Sequence, residues 1–210
     1  QLGKTAEAER CLNLAKAVAE RDASSRVRDG YAAMKARQVI ETGKWEPLAL
    51  PGAPVRDGGA PGYDGSAAYV LAAGLSAARL GSLTAADQAL EKLKAMRVQA
   101  EGGSNAYRAK PFAIMEREVG AVIAVAQKDP AAADRLLKEA TAIELTLDAP
   151  SGPPEPIKPS FELYGELLLE QGRAKEAAAQ FEQALKRMPN RRASLRGLEH
   201  AVPARTSQGQ

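Results

Sequence analysis

Residues 159–189 read PSFELYGELLLEQGRAKEAAAQFEQALKRMP. Phe161, Tyr164, Gly165 and Leu168 recur at i, i+3, i+4 and i+7, the spacing that places side chains on one face of a helix. Gly172 interrupts that pattern. Ala177, Phe181, Ala184 and Leu185 then rebuild an apolar face, and Pro189 closes the unit because its ring cannot continue a helix. Two helices joined by so short a turn must lie antiparallel. The small residues at 165, 177 and 184 have a packing reason: two helices approach closely only where no large side chain intervenes.

The same punctuation recurs upstream. Val70, Ala73, Gly74, Ala77, Gly81, Ala86, Leu90 and Leu93 repeat the order, with Thr84 and Asp87 spaced as a capping box for the second helix. Gly120, Ala121, Ala124, Ala133, Leu137 and Ala140 make another unit. There Lys128 stands at the turn, and Asp129-Pro130 supplies an N-cap and a first-turn proline. Leu2, Gly3, Ala8, Leu12 and Ala15 read as a second helix without its first. Ala32, Ala36, Val39, Gly43 and Trp45 begin a unit that breaks off, since Leu48 takes the alanine position and Pro51-Gly52 follows.

This register resembles the tetratricopeptide repeat, a helix–turn–helix unit of about 34 residues. Phe161 stands for the usual aromatic, Gly165 for the small residue and Gly172 for the turn. Ala177 is the second-helix alanine, Phe181 the core aromatic and Pro189 the terminator. Turns fall at 3, 43, 81, 128 and 172, and every interval exceeds the standard period, so the repeats carry insertions. The resemblance implies an all-α, right-handed solenoid of antiparallel helical hairpins over residues 1–203, ending in a capping helix. Its parts are a half-repeat at 1–21, a degenerate unit at 24–50, a Pro/Gly insert at 51–65 and units at 66–98 and 104–147. A Pro-rich linker at 148–158, a unit at 159–191, a cap helix at 192–202 and a frayed tail at 204–210 complete it. The linker is expected to be extended and stiff. The Lys-Pro-Ser-Phe-Glu-Leu-Tyr-Gly run behind that linker also looks like the C-terminal part of large bacterial tetratricopeptide proteins. That likeness implies an N-terminal repeat array ahead of these residues, and it is compatible with an exported protein.

Composition agrees with helix on helix. Hydrophobic residues make up 45% and aromatics only 4%, so the apolar mass is alanine and leucine rather than the aromatic side chains that sheets favour. Net charge is +3 from 29 basic and 26 acidic residues, a balance that gives no electrostatic case for nucleic acid. No apolar run reaches the ~18 residues of a membrane span. The single cysteine, Cys11, excludes an intrachain disulfide and a cysteine zinc site, and it does not fix the compartment.

Few residues carry chemistry. His200 is the only histidine, and nothing pairs with it at metal or catalytic spacing, so it reads as a solvated helix residue. The Arg56–Gly65 loop lacks the Lys-Ser/Thr of a phosphate loop, and Ala68 stands where a calcium loop starting at Asp57 would need an acid. Arg187, Arg191, Arg192 and Arg196 read as solvated cations meeting a helix dipole. No metal, cofactor or catalytic residue is expected. In the tetratricopeptide family, first-helix positions alternate between the core and a concave groove. Transferred here, the groove would be lined by Leu71, Leu75, Met115, Glu118, Val122, Val125, Glu162, Glu166 and Glu170. The family's carboxylate-clamping members carry basic residues there, whereas this chain carries acids. The expected function is therefore a non-catalytic scaffold that binds a protein or peptide through that face. The alternative is a structural module that packs on its own N-terminal repeats, leaving the three glutamates as a solvated stripe.

Overall fold

The computed structural model describes residues 4–22, 24–50, 67–103, 107, 109–150 and 154–202. Among them the chain is all helical, with nine helices and no strand. These are α1 (Thr5–Arg21), α2 (Ser25–Thr42), α3 (Ala67–Arg79), α4 (Leu83–Glu101), α5 (Ala109–Ala126), α6 (Pro130–Glu144), α7 (Ser160–Glu170), α8 (Ala174–Arg187) and α9 (Arg192–Ala201). Gly3, the 51–65 insert and the 204–210 tail lie outside the described residues.

The turns follow from backbone chemistry. Gly43, Lys128, Gly81 and Gly172 all have positive φ, at 65°, 63°, 77° and 75°. Three of these sites close in the same way. The N–H after the left-handed residue reaches back to a carbonyl five residues earlier: Ser82 to Ala77 at 2.8 Å, Asp129 to Ala124 at 2.8 Å, and Arg173 to Leu168 at 2.9 Å. The left-handed residue itself bonds three back, to Ala78, Val125 and Leu169. This is the paired hydrogen bonding of a Schellman ending, which satisfies the last carbonyls of a helix and reverses the chain. Lys128 adopts it without being glycine. Gly43 differs, because its N–H bonds only Val39 and the described residues 44–50 after it form no helix.

Consecutive helices pack on one another, α3 on α4, α5 on α6 and α7 on α8. In addition α3 meets α2 and α5, and α9 lies on α8 and α7. Small residues set the spacing. A Cβ on Gly165 would fall 2.7 Å from Cζ of Phe181, and one on Gly197 only 2.3 Å away. The fully buried Phe181 ring is thus held between α7 and α9. A Cβ on Gly74 would meet Val119 at 2.8 Å and Ala89 at 3.0 Å, so α3 touches both α5 and α4 there.

Several local expectations are corrected. The Thr84–Asp87 box does not cap α4, which starts two residues earlier behind Ser82 and takes no side-chain cap. Asp129 does cap α6, accepting the Ala132 N–H at 2.9 Å. Residues 44–50 form no helix. They lie against the core instead, burying Leu50 and packing Trp45 and Leu48 on it. Within the 148–158 linker Pro154, Pro156, Ile157 and Lys158 are buried, as is Pro159 after it. Helix α1 packs on α2 through Leu12, Ala15 and Ala19 and leaves Cys11, Leu14 and Val18 exposed on an adjoining face.

Candidate functional site: a buried polar network behind the expected groove

The residues expected to line an open face are mostly enclosed. Leu71, Leu75, Met115, Glu118, Val122 and Glu162 are buried, and Val125 is half-buried. Glu166 and Glu170 keep access to solvent, with side chains 31% and 45% exposed. For the six buried residues the open face is therefore corrected. Packing of α3 on α2, α4 and α5, and of α5 on α4 and α6, accounts for the apolar ones, and long-range ion pairs add to it. Arg79 at the end of α3 pairs with Glu170 of α7 at 2.7 Å and stacks 5.3 Å above the Trp45 ring. Arg191, before α9, pairs with Glu41 near the end of α2 at 2.7 Å. The two ends of the helical array are thus drawn together.

Glu162 is the hub of what lies inside. It sits in the first turn of α7, where the Arg191 guanidinium grips it through two parallel bonds, Nε to Oε2 at 2.7 Å and Nη2 to Oε1 at 2.8 Å. This fork geometry is the strongest that arginine makes with a carboxylate. The Ser194 hydroxyl donates to Oε2 at 2.7 Å, and Lys158 Nζ donates to Oε1 at 3.1 Å. Lys158 also reaches Glu166 at 2.6 Å. Burial would raise the Glu162 carboxyl, but Lys158, Arg191 and Ser194 outweigh it and hold it at about 2. Burial likewise opposes the charge on Lys158 and Arg191, and their carboxylate partners win, raising both.

A second cluster adjoins the first. Ser160, the first residue of α7, donates its N–H to Glu144 Oε2 at 2.7 Å, and its hydroxyl lies 3.1 Å from Glu118 Oε1. Burial, and then the neighbouring Glu144, push the Glu118 carboxyl well above the usual range. Glu144 is also raised by burial, although Ser160 and Arg187 oppose this. Arg187 Nη2 donates to the carbonyls of Leu147 and Asp148 just past α6.

Chemically these groups bind one another. Glu118, Glu162, Lys158 and Arg191 are buried, so none presents a charge to a substrate in this arrangement. Arg191 corrects its expected place in solvent, whereas Arg192, Arg196 and His200 are exposed. One signal for Arg191 existed in the sequence. It precedes a helix N-terminus, where the macrodipole slightly disfavours a cation and a nearby carboxylate offsets this. The spacing of Lys158, Glu162 and Glu166 at four-residue steps was a second signal. A depression of about 230 Å³ lies between α1, α2 and residues 44–46, and its charges pair across it as Lys44–Glu9 and Lys35–Glu46. Among the described residues no three potential ligands cluster for a metal, and no helix is long and apolar enough to cross a membrane. No family model matches the chain, and neither a curated protein nor a solved structure shows significant similarity to it.

Proposed function

We propose that this protein is a non-catalytic scaffold of tetratricopeptide-like hairpins, and that its contact surface is the outer side of α1, on which a further helical hairpin stacks. The observation that carries the reading is the apolar character of α1 on two faces. One face, through Leu12, Ala15 and Ala19, packs on α2. An adjoining face, about 100° round the helix, presents Cys11, Leu14 and Val18 at i, i+3 and i+7, with Leu14 70% and Val18 53% exposed. A helix apolar on two faces suits a position between neighbours, and stacked repeats are held by such nearest-neighbour interfaces. Burial of most of the inner stripe favours this end-on contact over peptide capture in a groove.

Cys11 permits a direct test. A photo-activated crosslinker on its thiol, used in the protein's native setting, is expected to join a helical segment, with the linkage lost in a Leu14→Asp, Val18→Asp variant that retains its helicity. Linkage only from position 170, in an E170C variant with Cys11 replaced by serine, would return the contact to the inner stripe and overturn the reading.

A further inference from the structure

The junction of α5 and α6 with α7 is small beside the packing within each helical pair, and a polar cluster sits in it. Glu118 comes from α5, Glu144 from the last residue of α6 and Ser160 from the first of α7. One serine serves both acids: its N–H goes to Glu144 and its hydroxyl to Glu118. The remaining oxygen of Glu118, Oε2, has no hydrogen-bond partner although it is buried. Among the described residues no cation bonds Glu118 either. Lys158, in the connector, is committed to Glu162 and Glu166, and Arg187 of α8 stands behind Glu144 at 3.5 Å. The charged groups facing Glu118 are therefore Glu144 from α6, Lys158 from the connector and Glu162 from α7, with Arg187 beyond. Two enclosed carboxyls sharing one serine cannot both ionise cheaply, and the one without a cation is the one that stays neutral.

We infer that this junction is a proton-held joint: α7 is seated on α5 and α6 while Glu118 is a neutral acid, and it loosens when Glu118 ionises. The raised Glu118 carboxyl agrees with the geometry. The direction follows from linkage. A group raised in the folded state contributes stability that is present below its unfolded value, and that contribution is lost as pH rises through its folded value. The joint therefore responds to alkali, opposite in sense to the Glu162 hub beside it. It does so wherever a partner docks.

Two measurements on the whole chain test it. Carboxyl carbon titration by NMR is expected to show the Glu118 signal titrating well above those of the exposed glutamates. Amide exchange, normalised to intrinsic rates between pH 5 and 10, is expected to lose about tenfold protection or more at residues 160–168 over the same range, since the ratio of ionised to neutral carboxyl rises about tenfold with each step of one in pH. Residues 86–93 of α4 should stay level. Glu118→Gln, which keeps the shape and cannot ionise, should flatten the response at 160–168. A Glu118 signal that titrates with the surface glutamates overturns the inference using wild type alone. So does a pH response of 160–168 that is the same in wild type and E118Q.

Discussion

Phe181 and Gly197 make a pair whose coupling has a calculable sign. Exposed glycine within a helix is about 1 kcal/mol worse than alanine, so Gly197→Ala in the ten-residue α9 would ordinarily stabilise. Here the added methyl would lie 2.3 Å from Cζ, 2.4 Å from Cε1 and 2.8 Å from Cδ1 of the Phe181 ring. The ring cannot retreat, because it is fully buried and Gly165 of α7 already lies against it. Overpacking of this kind costs roughly 1–3 kcal/mol and leaves Gly197→Ala destabilising by up to about 2 after the propensity gain. Phe181→Leu removes the ring edge that clashes, and it lowers stability on its own account. In that background Gly197→Ala should become neutral or stabilising by up to about 1 kcal/mol. Urea unfolding of the four proteins in a double-mutant cycle reads the coupling directly. If Gly197→Ala is as stable as wild type with Phe181 in place, α9 does not meet its neighbours through a glycine and the packing reasoning is refuted.

Three further outcomes follow from other parts of the structure. Glu162→Gln leaves Lys158 and Arg191 enclosed with too little counter-charge and should cost about 3–5 kcal/mol in urea unfolding, whereas Glu166→Gln, at the half-exposed edge, should cost about 1 or less. Since the Glu162 carboxyl is lowered to about 2, its contribution is present above the ordinary value of 4.5 and is lost as pH falls towards 2, so an acid titration of E162Q should lack that part of the slope. Lys128 holds φ 63° without being glycine; Lys128→Gly should raise stability by up to about 1 kcal/mol and Gly172→Ala should lower it by about as much, which thermal unfolding decides.

The sequence by itself determined where the helices of this protein stop and which small residues face a neighbour. Gly43, Gly81, Lys128 and Gly172 were readable as turns because a left-handed residue, joined at the last three by Schellman bonds, involves only the half-dozen residues around it. Gly165, Ala177 and Phe181 were readable as core because helical periodicity puts them on one face whatever lies beyond it. The fate of the other face was not readable in the same way. Whether Leu75, Met115 or Glu162 meets water depends on what arrives from elsewhere: Glu41 and Arg191 lie 150 residues apart and Arg79 and Glu170 lie 91 apart. A stripe of glutamates at four-residue steps looks the same whether it is solvated or gripped by a guanidinium. Only the tertiary structure brings Arg191 onto Glu162, and desolvation, which follows position in space rather than in sequence, turns a surface charge into a buried hub.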